Sequence, residues 1–185
     1  MSLASLWLPI LLSAVLVFVI SSVIHMATPF HKSDNRKLPN EAAVLDALRP
    51  FDIPPGDYVF PHVSDHKEMK EPAFLEKWRT GPIGMVTVMA KGVPTIGKSL
   101  VLWFVYCVVV SVIAAYVTSR AVGPGAPYRA VFRFAGVTSF IGYSLALWQN
   151  SIWYKKDWMT TLRSNGDGLI FGRVTAGTFG WLWPR

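Results

Sequence analysis

Polar and hydrophobic positions fall in long blocks along this chain, not at the short periods of a soluble domain. Residues 6–26, LWLPILLSAVLVFVISSVIHM, form an apolar block without an acid, lysine or arginine. A helix rises about 1.5 Å per residue, so the block covers about 30 Å, the thickness of a bilayer's hydrocarbon core. Residues 97–118 and 131–153 are similar apolar blocks, each with a single base near its start, Lys98 and Arg133. A fourth block, residues 167–183, is shorter, at about 24 Å. The pattern predicts an all-α integral membrane protein, a bundle of four transmembrane helices at 6–26, 97–118, 131–153 and 167–183. Gly123 to Pro127, GPGAP, predicts a tight turn between the second and third. Residues 154–166, with Lys155, Lys156, Trp158 and Arg163, read as an amphipathic interfacial loop before the fourth.

Residues 27–95 interrupt the apolar pattern and predict a mostly irregular soluble insert. EAAVLDALR after Asn40 predicts a short helix with Asn40 as N-cap, stopped by Pro50. A second short helix is expected from about Glu71, with Pro72 at its first position and Gly81 past its end. GMVTVM at 84–89 reads as a strand with no evident partner, so at most one or two short strands are expected. Few large apolar residues lie in this insert. It is expected to pack on the bundle or on another protein.

Composition agrees with the pattern. Hydrophobic residues make up 52% of the chain and charged residues 16%, against about 25% charged in soluble domains. The net charge of +7 reads as basic residues flanking membrane helices, without the basic, aromatic-interleaved patch of a nucleic-acid binder. The single cysteine, Cys107, excludes an internal disulfide and a cysteine-based zinc cluster. No base precedes the first block, which predicts an uncleaved anchor instead of a signal peptide. Ten basic residues flank the membrane on the insert's side and four on the other. That asymmetry predicts a cytoplasmic insert with both termini outside, in a bacterial cytoplasmic membrane.

Candidate chemistry is sparse. Gly168, Gly172, Ala176 and Gly180 recur every four residues and predict a flat helix face that admits another backbone; Gly142 and Ala146 give the third block a similar face. Arg173 stands beside the stripe, and an arginine at a membrane helix centre costs about 2.5–3.5 kcal/mol on insertion scales. Gln149, Asn150 and His25 are expected at similar depth. Together they predict a polar pocket for an anionic headgroup, a quinone-like ligand or a partner helix. The competing expectation is that Arg173 reaches up to the headgroups.

His62 and His66, four apart with Asp65 between and His31 upstream, are a possible metal pair if they share a helix, with an aspartate to complete the shell. Pro61 keeps such a helix short, and solvated loop histidines are the alternative. Gly92 to Ser99, GVPTIGKS, satisfies the phosphate-loop spacing. The helix after it is apolar all round, and no later acid or parallel sheet is available, so no nucleotide is expected. No nucleophile or acid–base pair is positioned, and no cofactor is expected. The chain reads as a non-catalytic accessory, assembly or structural subunit of a membrane complex, with the bilayer and a membrane protein or second copy as partners. The alternatives are a ligand- or lipid-binding or transport protein built on the Arg173 pocket, and a metal-dependent membrane enzyme.

Overall fold

Apolar length decides most of the architecture. The computed structural model describes residues 1–185, which divide into two compact units: residues 1–36 with 95–185, and residues 37–94.

The first unit is a helix bundle. Helix α1, Trp7–Ser22, is preceded by a 3-10 turn and followed by a π turn, Val23–Ala27. Helix α4 is Gly97–Ala121 and α5 is Tyr128–Ser144; a 3-10 turn, Leu145–Leu147, joins α5 to the short α6, Trp148–Ile152. The stretches Leu3–Ala27, Gly97–Ala121 and Tyr128–Ile152 are long and apolar enough to cross a membrane. Helix α7, Trp158–Trp181, is as long, but it carries Arg163, Asp167 and Arg173 and is not apolar enough to be a span on composition. Three of the four expected spans thus correspond to helices long and apolar enough to cross a membrane, and a fourth is not shown.

Helix α7 also begins nine residues before the expected block at 167, inside the expected loop. Its first turns are polar yet packed. Thr160 and Thr161 are buried, Ser164 and Asn165 bond back to the Thr160 and Thr161 carbonyls, and Ser151 and Thr161 share a 2.7 Å hydrogen bond. Polarity here marks helix contacts, because each group finds a partner inside the protein.

The small-residue stripe of α7 lies along α5, and the two helices run antiparallel. A methyl on Gly168 would overlap Ser144, one on Gly172 would sit 3.1 Å from the Gly136 carbonyl, and one on Gly180 would meet the Tyr128 ring at 2.6 Å. Gly142 faces α4, where a methyl would lie 3.1 Å from Val110. Ala146 is exposed in the turn after α5. Two apolar clusters fill the bundle. One gathers Leu6, Ala115, Val131, Ala135, Phe179 and Trp183; the other gathers Ala14, Val17, Cys107, Val110, Tyr143 and Phe171. Ser13 of α1 and Ser111 of α4 share a buried 3.0 Å hydrogen bond between them.

The second unit holds α2 (Glu41–Leu48), α3 (Pro72–Thr80) and a two-stranded sheet. Strand β1, Gly56–Phe60, pairs antiparallel with β2, Gly84–Val88, with Gly56 opposite Val88 and Phe60 opposite Gly84. The strand expected to be alone thus has a partner. Pro72 opens α3 and Gly81 follows it with a φ of 64°. Asn40 differs from expectation: its φ is 48°, and its side chain makes no capping hydrogen bond. A backbone in the left-handed region does not present the side chain to the first turn as a capping residue does. No residue from 37 to 94 is buried.

Candidate functional site

The first span ends in a way that builds a site. In its π turn, His25 Nδ1 lies 2.9 Å from the Ser21 carbonyl. A carbonyl only accepts, so Nδ1 carries the hydrogen and Nε2 the lone pair of the neutral ring. Thr28 then stops the helix: its hydroxyl donates to the Ile24 carbonyl at 2.6 Å and accepts the Phe30 N–H at 3.3 Å. Two tight turns follow, closed by Lys32 N–H to Pro29 and Asp34 N–H to His31. They fold the chain back and stack His31 on His25, with ring centroids 4.3 Å apart and planes at 6°.

Helix α7 closes the site from the other side. Arg163 and Asp167 are four apart and share a helix face. Arg163 Nη1 donates to Asp34 Oδ1 at 2.7 Å. The second Asp34 oxygen accepts from His31 Nδ1 at 2.6 Å. Burial of Asp34 disfavours its charge, but the hydrogen bonds and charges of His31 and Arg163 outweigh that and hold its carboxyl below the usual carboxylate range. Asp167, 4% exposed, brings Oδ2 to 2.8 Å from His31 Nε2 and to 3.8 Å from His25 Nε2. The 2.8 Å approach is short but off line: neither His31 Nε2 nor the other Asp167 oxygen, Oδ1, has a hydrogen-bond partner, and both are buried. Chemically, the cluster can hold a positive charge between its bare nitrogens and oxygens, or pass a proton among them.

Of the four residues expected in a polar pocket, His25 alone joins this cluster. Arg173 is exposed and lines a groove of about 260 Å³ between α5 and α7 with Phe132, Arg133, Val137, Phe140 and Leu169. Gln149 is exposed, and the Asn150 carbonyl accepts the N–H groups of Tyr154 and Lys156. No hydrogen bond joins either to Arg173. The early start of α7 accounts for this: Arg173 lies about 22 Å along the helix from Trp158. The level of α6 is instead occupied by Asn165, whose Oδ1 accepts from Trp148 Nε1 at 2.9 Å.

His62, Asp65 and His66 are exposed on a stretch that is not helical, so the shared face their spacing requires is absent; an Asp65 oxygen accepts the Lys67 N–H at 3.1 Å. The Gly92–Ser99 stretch adjoins a sheet of two antiparallel strands, not the parallel sheet of a phosphate loop. The site residues missed from the sequence are Asp34, Arg163 and Asp167, while His31 stands there only as a neighbour of the His62–His66 pair. The four-residue spacing of Arg163 and Asp167, at the polar edge of an otherwise packed helix, was the available signal. Comparison with known protein families, with curated proteins and with solved structures finds no match.

Proposed function

We propose that this multi-pass membrane protein is an accessory or assembly subunit of a membrane complex that engages a membrane-protein partner through residues 37–94. One observation carries the reading. That unit has two helices and a two-stranded sheet but not one buried residue, and it exposes Phe51, Trp78, Met85 and Met89 at 74%, 44%, 54% and 81%. A small unit needs a core to repay its ordering entropy, and this one gains it by covering those side chains with a partner. Its eight acids and seven bases nearly cancel, which suits a protein surface better than anionic headgroups. In this reading α7 completes four crossings, residues 27–95 are cytoplasmic and both termini lie outside, as the basic-residue asymmetry favours.

Extraction in mild detergent followed by native mass spectrometry tests it. The expected result is a stoichiometric protein partner, or a second copy, that is lost when Phe51, Trp78 and Met85 are changed to serine. A bare monomer overturns the proposal.

A second reading, binding of an anionic lipid, has its own support. Arg133 and Arg173 both line the apolar groove between α5 and α7, and neither makes a salt bridge. Phospholipid that co-purifies with the wild type and is lost from the Arg133→Gln/Arg173→Gln double variant would favour it.

A further inference from the structure

We propose that His25, His31 and Asp167 form a binding site for one divalent first-row transition-metal ion, of the zinc class, at the end of the first span. Their ligand atoms lie within 4.8 Å of one another. Both histidines have the outer support that metal-binding imidazoles need. His25 Nδ1–H is held by the Ser21 carbonyl and His31 Nδ1–H by the Asp34 carboxylate, so each presents Nε2 as an acceptor. Asp34 is anchored in turn by Arg163.

Three acceptors therefore lie close together: two Nε2 lone pairs and a carboxylate. Such a meeting is repulsive unless a cation lies among them. A proton on His31 Nε2 would point off the line to Asp167, since that nitrogen makes no hydrogen bond at 2.8 Å, and Asp167 Oδ1 is left bare although buried. A metal ion answers both defects at once. Two imidazoles and one carboxylate suit zinc or a neighbouring divalent ion; calcium and magnesium favour all-oxygen shells and copper(I) favours sulfur. Three protein ligands leave a position open, and His25 also borders a cavity of about 200 Å³ with Ser21, Met26, Leu100 and Trp103. The stacked rings are nearly parallel, so a shared ion requires one to turn. His25 is the half-exposed ring, whereas Asp34 fixes His31.

This inference stands apart from the subunit reading. The full chain in mild detergent, stripped with chelator and titrated with Zn²⁺, is expected to retain one zinc per chain by elemental analysis. His25→Ala, His31→Ala and Asp167→Asn are expected to lose it, Asp34→Asn to weaken it about 10–100-fold, and His62→Ala/His66→Ala to keep it. His25→Ala guards against misfolding, because that ring is half-exposed, and circular dichroism checks each variant. Cobalt(II) in place of zinc should give visible d–d bands that vanish in His25→Ala. No retained zinc, or equal retention in the folded ligand variants, overturns the proposal.

Discussion

Arg163 and Asp167, one turn apart on α7, face the two ends of a single turn: Arg163 holds Asp34 at 2.7 Å, and Asp167 lies 2.8 Å from His31. The loop after the first span is thus fastened to the last helix by side chains that sequence order separates by well over a hundred residues.

Breaking one end leaves a partly buried charge without its partner. Arg163→Leu is expected to destabilise the bundle by about 1–3 kcal/mol, because Asp34 keeps its negative charge in a site 13% exposed. Asp34→Asn should cost less, since an amide still accepts a hydrogen bond from Arg163. Thermal unfolding in detergent ranks the two, and the opposite order would contradict this account.

The α5–α7 contact makes a sharp contrast between glycines on one helix. Gly180→Val must displace the Tyr128 ring and is expected to cost about 1–3 kcal/mol. Gly166→Ala meets nothing within 4 Å, and is expected to be neutral or to stabilise by up to about 1 kcal/mol, as alanine is the better helix former. Equal effects would mean that the stripe is not the tight face.

Ser13 and Ser111 test the polar link between α1 and α4. Each single alanine variant should cost about 0.6 kcal/mol, near the mean for interhelical hydrogen bonds in membranes, and the double variant little more than either. Strictly additive losses would show that the two hydroxyls do not depend on each other.

Asp52 supplies a pH test in residues 37–94. The hydrogen bond and then the charge of Lys91 hold its carboxyl below the usual carboxylate range against a small opposing effect of burial. A depressed folded value means that the pair's contribution is present above the unfolded pKa of about 3.9 and is lost as pH falls through the lowered one. Lys91→Met should therefore move the Asp52 carboxyl titration, followed by carbon-13 NMR, upward toward that ordinary value. No movement would refute the pairing.

The apolar blocks were legible because bilayer thickness leaves few alternatives for a run such as residues 6–26. Pro72 and Gly81 likewise marked α3, since each has a local backbone reason to stand where it does. The start of α7 was not legible. Thr160, Thr161 and Asn165 look like loop residues until their partners on α6 and within α7 are known. That misplacement carried the site with it: taking 167 as a helix edge put Arg173 near Gln149 and left Asp167 without a role. The His25–His31 stack was equally hidden, because it depends on the π turn, on Thr28 stopping the helix and on the two turns after it, none of which has a periodic signature. The strand partner of Gly84–Val88 lay within PPGDYVFP, where the prolines advertise a turn more strongly than a strand.

The spacing of the α7 stripe bears on sliding as well as on closeness. Small residues every four positions form a rack with a repeat of about 6 Å, so a slip of one whole repeat would again set small residue against helix. Such an interface by itself has several near-equivalent positions. The grip of Arg163 on Asp34, in the loop after the first span, repeats nowhere else along α7. It acts as the stop that selects one position on the rack.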